Sequence, residues 1–424
     1  MMIKQLHPLT GDAIYSMEHS SGLQILVWPQ PEAATAYALL ATRYGSVYNT
    51  LPAPDGGVEE VPEGIAHYLE HKLFESEEGD AFERFAATGA NANAYTSFER
   101  TAYLFQATEE ILPSLEILLD FVQHPYFTPQ TVQKEQGIIG QEIRMCEDDP
   151  SRCVLFNLLQ GMYHRHPVRI DIAGTVESIS HITADLLYRC YGQYYNLHNM
   201  VLAVAGRITP AEVEEAADRL LKPAAPMTPV TVSCDEPDTV VEHRVEQRMP
   251  VAAPLFYLGI KEPGGVTRDA AALAGARLLT DLLVGRSSPL YARLMEAGLI
   301  NEQFEAEYFN GPGFGVWLFA GESADPDRVA EAILEEIRRQ QAAGLDGEAV
   351  EIARRAAYGE TVSGLDDAAT CAETLLSDWV DGIQPLSRLD ATASLTLEEL
   401  NAQLRQRIPA EQATLSVIRP ETAS

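Results

Sequence analysis

GIAHYLEHKLFE, running from Gly64 to Glu75, decides how this chain is read. It holds two of the ten histidines, His67 and His71, with Glu70 beside the second. Each residue of a helix turns the chain by about 100°, so all three fall in one narrow sector. Two imidazoles four residues apart can share one zinc ion, and a neighbouring glutamate can polarise a water. The competing reading is an amphipathic helix that happens to carry two histidines. An H-x-x-E-H match arises by chance roughly 0.03 times in a chain of this composition. A catalytic zinc usually has three protein ligands and one open position, so a third ligand must come from elsewhere.

KEQGIIGQEIRM, Lys134–Met145, offers one. Glu135 and Glu142 are seven residues apart, two helical turns, and so share a face. Ile138, Ile139 and Ile143 mark an expected buried flank. One carboxylate could complete a zinc shell while the other orients a histidine from behind.

Outward from these helices the chain reads as two halves. Lys222–Pro254 is rich in proline and polar residues and reads as a linker with one short strand. The expected domains are 1–221, carrying the zinc motif, and 255–424, a related domain without it. In the first half AYALLATRYGSVY leads to the motif helix, then strand-like ANAYTSFERTAYLFQAT, a helix opening at Pro113, and the helix from Pro129. In the second, PLFYLGIKE leads to helical AAALAGARLLTDLLVG, strand-like FEAEYFNGPGFGVWLFAGES, and two further helices. The same order at similar spacing indicates an internal duplication. The fold class is α+β: two homologous α/β sandwiches, each a mainly antiparallel sheet covered by helices.

The chain has 424 residues, 30 basic and 62 acidic, for a net charge of −32. That argues against nucleic acid or an anionic membrane as partner. It suits either a solvated acidic surface or acidic walls that attract cationic substrates. No apolar run reaches the ~18 residues of a membrane span, and MMIKQLHPLTGDAIYS lacks the pattern of a signal peptide. Five scattered cysteines without a C-x-x-C pair fit reduced thiols in a cytoplasm. No phosphate-binding glycine loop is present. Ser287–Ser288 lacks a G-x-S-x-G context and reads as a turn or helix cap. His164–His166 reads as a fixed loop, or an adventitious metal binder. Leu186–Tyr195 reads as core packing.

H-x-x-E-H is the inverted zincin motif of the inverzincins. Together, GIAHYLEHKLFE, NANAYTSFERTAYLF and EQGIIGQEIRM followed by DDP resemble the pitrilysin-type zinc metallopeptidases. That family includes insulin-degrading enzyme and the mitochondrial processing peptidase, and the wording here is most similar to its bacterial YmfH-type members. The resemblance extends through HPVRIDIAGTVESI and LHNMVLAVAGRI, over nearly the whole chain. It implies sandwich domains like those of LuxS and the mitochondrial processing peptidase. It implies one Zn2+ per chain, held by His67, His71 and Glu142, the last 71 residues after His71. Glu70 is then the general base that activates the zinc-bound water, and Glu135 the second catalytic carboxylate, supporting the site. Asn91–Thr96 is then an edge strand to which substrate adds, with Asn93, Ala94 and Thr96 meeting it.

One stretch departs from the family pattern. Self-sufficient relatives carry an arginine and then a tyrosine, in a stretch like L-R-E-K-x-G-L-x-Y, that hold substrate and steady the oxyanion. In SSPLYARLMEAGLINEQF, Met295 stands at the arginine position and Ile300 or Asn301 at the tyrosine position. Arg293 and Tyr291 are nearby but out of register. The resemblance therefore implies a zinc endopeptidase for peptides or unfolded protein segments, with a same-fold partner chain supplying that pair. A homodimer would place the task on other residues. The alternatives are a non-catalytic structural subunit of the same family, or a protease dedicated to maturing one peptide.

Overall fold

The computed structural model describes residues 2–53, 57–77, 79–227, 232, 234–263 and 268–421. The chain forms two compact units. The first comprises 1–143, 171–231 and 361–387, the second 144–170, 232–360 and 388–424. Residues 228–231 and 233 of the expected linker lie outside the described residues.

The first unit is built on a seven-stranded sheet. Its order is Ile3–Leu6, Ala13–Glu18, Gln24–Pro29, Met200–Gly206, Ala36–Thr42, Thr101–Ala107 and Asn91–Thr96. All neighbours are antiparallel except Gln24–Pro29 with Met200–Gly206. The central strands are nearly continuous apolar runs because both faces are covered. Ile25, Val27, Leu40 and Leu202 face the helices Ile65–Leu73 and Ile111–Phe121. Helix Ala368–Asp381 covers strands Met200–Gly206 and Ala36–Thr42 as well. Arg43 lies 3.7 Å from the ring of Trp379 in that helix and donates to its carbonyl.

The second unit has a five-stranded sheet: Arg244–Met249, Ala413–Pro420, Leu255–Lys261, Phe314–Glu322 and Glu305–Gly311. Arg244–Met249 pairs parallel with Ala413–Pro420 and all other neighbours are antiparallel. This repeats, strand for strand, the last five strands of the first sheet, so the duplication is written in topology. Helices Ala270–Val284 and Pro326–Ala343 pack on Phe256, Leu258, Trp317 and Val417. Helix Pro150–Met162 packs on the same sheet through Val154, which meets Met249 and Ile418.

Glycine is required where the motif helix begins. Gly64 is left-handed at φ 85°, and a Cβ there would lie 2.3 Å from the carbonyl oxygen of Ala173. Gly174 is its counterpart, left-handed and pressed against the carbonyl of Glu63. Ser178 donates to that same carbonyl at 2.9 Å. The IAGTVES stretch thus fixes where the helix Ile65–Leu73 starts.

Candidate active site

The motif helix presses Ile65, Tyr68, Leu69 and Leu73 into the first core. Tyr68 donates its hydroxyl to the carbonyl of Val132, joining this helix to Pro129–Glu147. Lys72 is fully buried and pairs with Glu75. These contacts leave His67, Glu70 and His71 beside the neighbouring helix.

There the two helices converge. His67 Nε2 lies 3.4 Å from Glu142 Oε1, and His71 Nε2 lies 3.5 Å from Glu142 Oε2. One ligand atom from each of the three lies within 4.8 Å of the others. A tetrahedral zinc with bonds of about 2.1 Å separates its ligand atoms by about 3.4 Å, so these residues fit the ion. His71 Nδ1 meets Glu135 Oε1 at 3.1 Å. Burial works against a charge on His71, but the Glu135 hydrogen bond and the carboxylates of Glu70 and Glu142 outweigh it and raise its pKa. The same hydrogen bond holds Glu135 below the ordinary carboxylate range, against the effect of burial. Among the described residues, His67 Nδ1 is sealed without a hydrogen-bond partner, so the two imidazoles are supported unequally.

Glu70 is 8% exposed and accepts a hydrogen bond from Thr96 Oγ1 at 2.8 Å. With His71 and Glu135 it lines a pocket of about 590 Å³. Phe74, Phe82, Ile138 and Ala94 supply the apolar wall, and Glu75, Glu77 and Asp80 an acidic rim opposed by Lys134. Phe74 and Phe82 stack at 4.2 Å. Helical periodicity in GIAHYLEHKLFE does not show this wall. Its signal is the short hairpin pairing Glu75–Ser76 with Gly79–Asp80, which turns the chain back so that Phe82 meets Phe74.

The expected buried flank of the second helix needs correction. Ile139 and Ile143 are buried, but Ile138 is 49% exposed and faces the pocket. One residue is a 100° turn, enough to move a side chain from core to cavity.

Asn91–Thr96 is the edge strand of its sheet. The Ser97 N–H bonds the Arg100 carbonyl, so that pair is hydrogen-bonded and the next, Thr96 with Thr101, is not. By the same alternation Ala94, opposite Tyr103, turns its N–H and C=O to the open edge. Asn93 turns its main chain into the ladder, while its side chain accepts from the Ala94 N–H at 2.8 Å. Of the three expected substrate contacts, Ala94 and Thr96 offer main chain, and Asn93 caps one of those amides.

In the second unit, Arg293 is exposed and reaches Glu336 at 3.4 Å, a carboxylate also held by Arg339. Tyr291 packs against Phe304. Ile300 is buried, and Asn301 donates to Glu322 at 3.3 Å. Ser288 caps the helix Pro289–Glu296. His166 is a fixed loop residue, its Nε2–H donating to the Pro312 carbonyl while Nδ1 accepts from Val168.

The insulinase (peptidase family M16) model matches residues 53–176, and the model described as the M16 inactive domain matches 181–357. The chain is 37% identical over 422 residues to the uncharacterized zinc protease YmfH of Bacillus subtilis, covering 97% of each. It is 28% identical over 392 residues to an uncharacterized zinc protease of Streptomyces coelicolor, covering 86% of this chain and 83% of that one. Among solved structures, an M16-like peptidase from Alicyclobacillus acidocaldarius superposes with a TM-score of 0.92 at 36% identity, covering 99% of this chain and 100% of that one. Pitrilysin shares the fold at a TM-score of 0.74 and 17% identity, matching 99% of this chain to 46% of its own.

Proposed function

Because the chain belongs to the M16 insulinase family of zinc proteases, we propose that it is a zinc-dependent endopeptidase acting on peptides and flexible protein segments. The observation that carries the reading is the convergence of His67, His71 and Glu142 beside the buried carboxylate of Glu70. One zinc ion, held by those three side chains, supplies Lewis acidity toward a carbonyl and a water. Glu70 takes the proton of the attacking water and returns it to the leaving nitrogen. Glu135 accepts the His71 Nδ1–H, so that the Nε2 lone pair would be free for the metal that it shares with Glu142. Substrate adds as a strand along Ala94 and Thr96, which reads extension more than sequence. The acidic rim of the pocket favours basic peptides.

A same-fold partner chain completes the site by supplying the arginine and tyrosine. Supporting this, Arg293 is drawn to Glu336 and the register positions hold Met295, Ile300 and Asn301. The cytoplasm is the proposed compartment, in line with five free cysteines. Among the described residues, no helix is long and apolar enough to cross a membrane.

The test is cleavage of a flexible quenched-fluorescent peptide by the zinc-loaded chain, with and without chelator, alone and mixed with a same-fold protein carrying the arginine and tyrosine. Chelator-sensitive cleavage that rises sharply in the mixture is expected. Full activity of the chain alone refutes the partner, and zinc-bound inactivity in every mixture refutes the peptidase.

A further inference from the structure

Glu70 must do more than be ionised. A base works when one oxygen points at the proton it removes, and a carboxylate on a three-bond side chain does not hold such an orientation unaided. Among the described residues, the hydrogen-bond partner of Glu70 is Thr96, whose hydroxyl donates to Oε2 at 2.8 Å. Behind it stands a wall of hydroxyls. Thr101 Oγ1 lies 3.3 Å from Thr96 Oγ1 but donates its own hydrogen to the carbonyl of Tyr44. Tyr103 and Tyr195 share a hydrogen bond at 2.9 Å and are sealed in the core. The Thr96 hydroxyl is therefore seated between a fixed oxygen on one side and Glu70 on the other. Glu70 Oε1 remains for the pocket that the residue lines.

Thr96 also has a second attachment. It sits in a pair without ladder hydrogen bonds, so its main-chain N–H and C=O face the open edge of the sheet. A peptide lying along that edge meets the main chain of the residue whose side chain holds the base.

We propose that Thr96 is a positioning residue: its hydroxyl fixes the rotation of the Glu70 carboxylate and couples it to the register of the substrate strand. The inference rests on the peptidase reading. It gives Thr96, an expected substrate contact, two tasks: main chain toward the substrate strand and hydroxyl toward Glu70.

The test compares Thr96→Val, which keeps the shape and loses the hydroxyl, with Thr96→Ser, which keeps the hydroxyl. The Val variant is expected to lose kcat by a factor on the order of 10–10², with KM little changed. The Ser variant should stay within about threefold of the parent, since it restores the donor. Zinc affinity, measured by chelator competition, should be equal in all three, because the Thr96 hydroxyl donates to Glu70, the proposed base, which is outside the proposed ligand set. Equal kcat in Val and parent overturns the proposal, as does a Ser variant as slow as Val, or loss of zinc in the Val variant. Crystal structures of parent and Val variant give a second readout that needs no turnover. The carboxylate of Glu70 should hold one rotamer in the parent and several in Thr96→Val, and an unchanged single rotamer overturns the idea. If the parent cleaves nothing in any mixture, the peptidase reading has failed, and the rotamer comparison still decides whether Thr96 holds Glu70.

Discussion

Glu135 Oε1 lies 3.1 Å from Nδ1 of His71, while the other nitrogen of that ring faces Glu142 at 3.5 Å. A histidine so held has one tautomer available for a metal, with hydrogen on Nδ1 and the lone pair on Nε2. Glu135→Ala removes the acceptor and frees the ring. Zinc affinity should fall by about 10–10²-fold, measured by competition with a chromophoric chelator. Glu135→Gln keeps an acceptor oxygen and should fall less. An unchanged affinity in Glu135→Ala would mean that this contact orients nothing.

Glu70 is a different case, because among the described residues its hydrogen bond goes to Thr96 and not to a histidine. Glu70→Gln keeps shape and removes basicity. Bound zinc should be retained at one equivalent while turnover drops by about 10²–10⁴-fold. Metal analysis together with single-turnover cleavage checks both halves. Loss of the metal would show that Glu70 belongs to the ligand set and not to the proton transfer.

The zinc motif and both helices that carry it are legible in the chain, because helical periodicity fixes which side chains share a face. Spacing puts His67 and His71 on one face and leaves Glu135 and Glu142 as equal candidates for the third ligand; only the family resemblance prefers Glu142. The environment of Glu70 was hidden. Thr96 follows it by 26 residues, and nothing in NANAYTS says which face of the strand meets the helix. The second covering layer of each sheet is equally silent, since the periodicity of Ala368–Asp381 shows an apolar stripe but not the sheet that receives it. Ile138 departs from the expected buried flank for a simpler reason. Apolar character predicts burial only on average, and pocket walls are apolar too.

That pair of isoleucines separates packing from recognition. Ile139 is fully buried between its helix and the first core, so Ile139→Ala should cost about 2–5 kcal/mol of stability. Ile138 is half exposed on the pocket wall, so Ile138→Ser should stay within about 0.5 kcal/mol. Its effect should appear in KM for peptides with large apolar side chains. Urea denaturation and steady-state kinetics on both variants are sufficient. Equal destabilisation by the two would place Ile138 in the core after all.

Acid should attack the second unit through Glu236. Its carboxylate accepts the backbone N–H groups of His164, Arg165 and His166 at 2.8–2.9 Å and the ammonium of Lys261 at 2.6 Å. Burial opposes its charge, yet those donors win and hold its pKa at about 2 against an ordinary 4.5. The folded chain thus binds fewer protons there than the unfolded one at intermediate pH. The stabilisation is complete above pH 4.5 and is lost as pH falls from 4.5 toward 2. Thermal midpoints measured from pH 6 to 3 should fall steeply for the parent and more shallowly for Glu236→Gln. At neutral pH, Lys261→Met strands a buried carboxylate and should cost on the order of 3–5 kcal/mol. Parallel pH curves for parent and Glu236→Gln would mean that the three amides hold the loop without regard to the charge they surround.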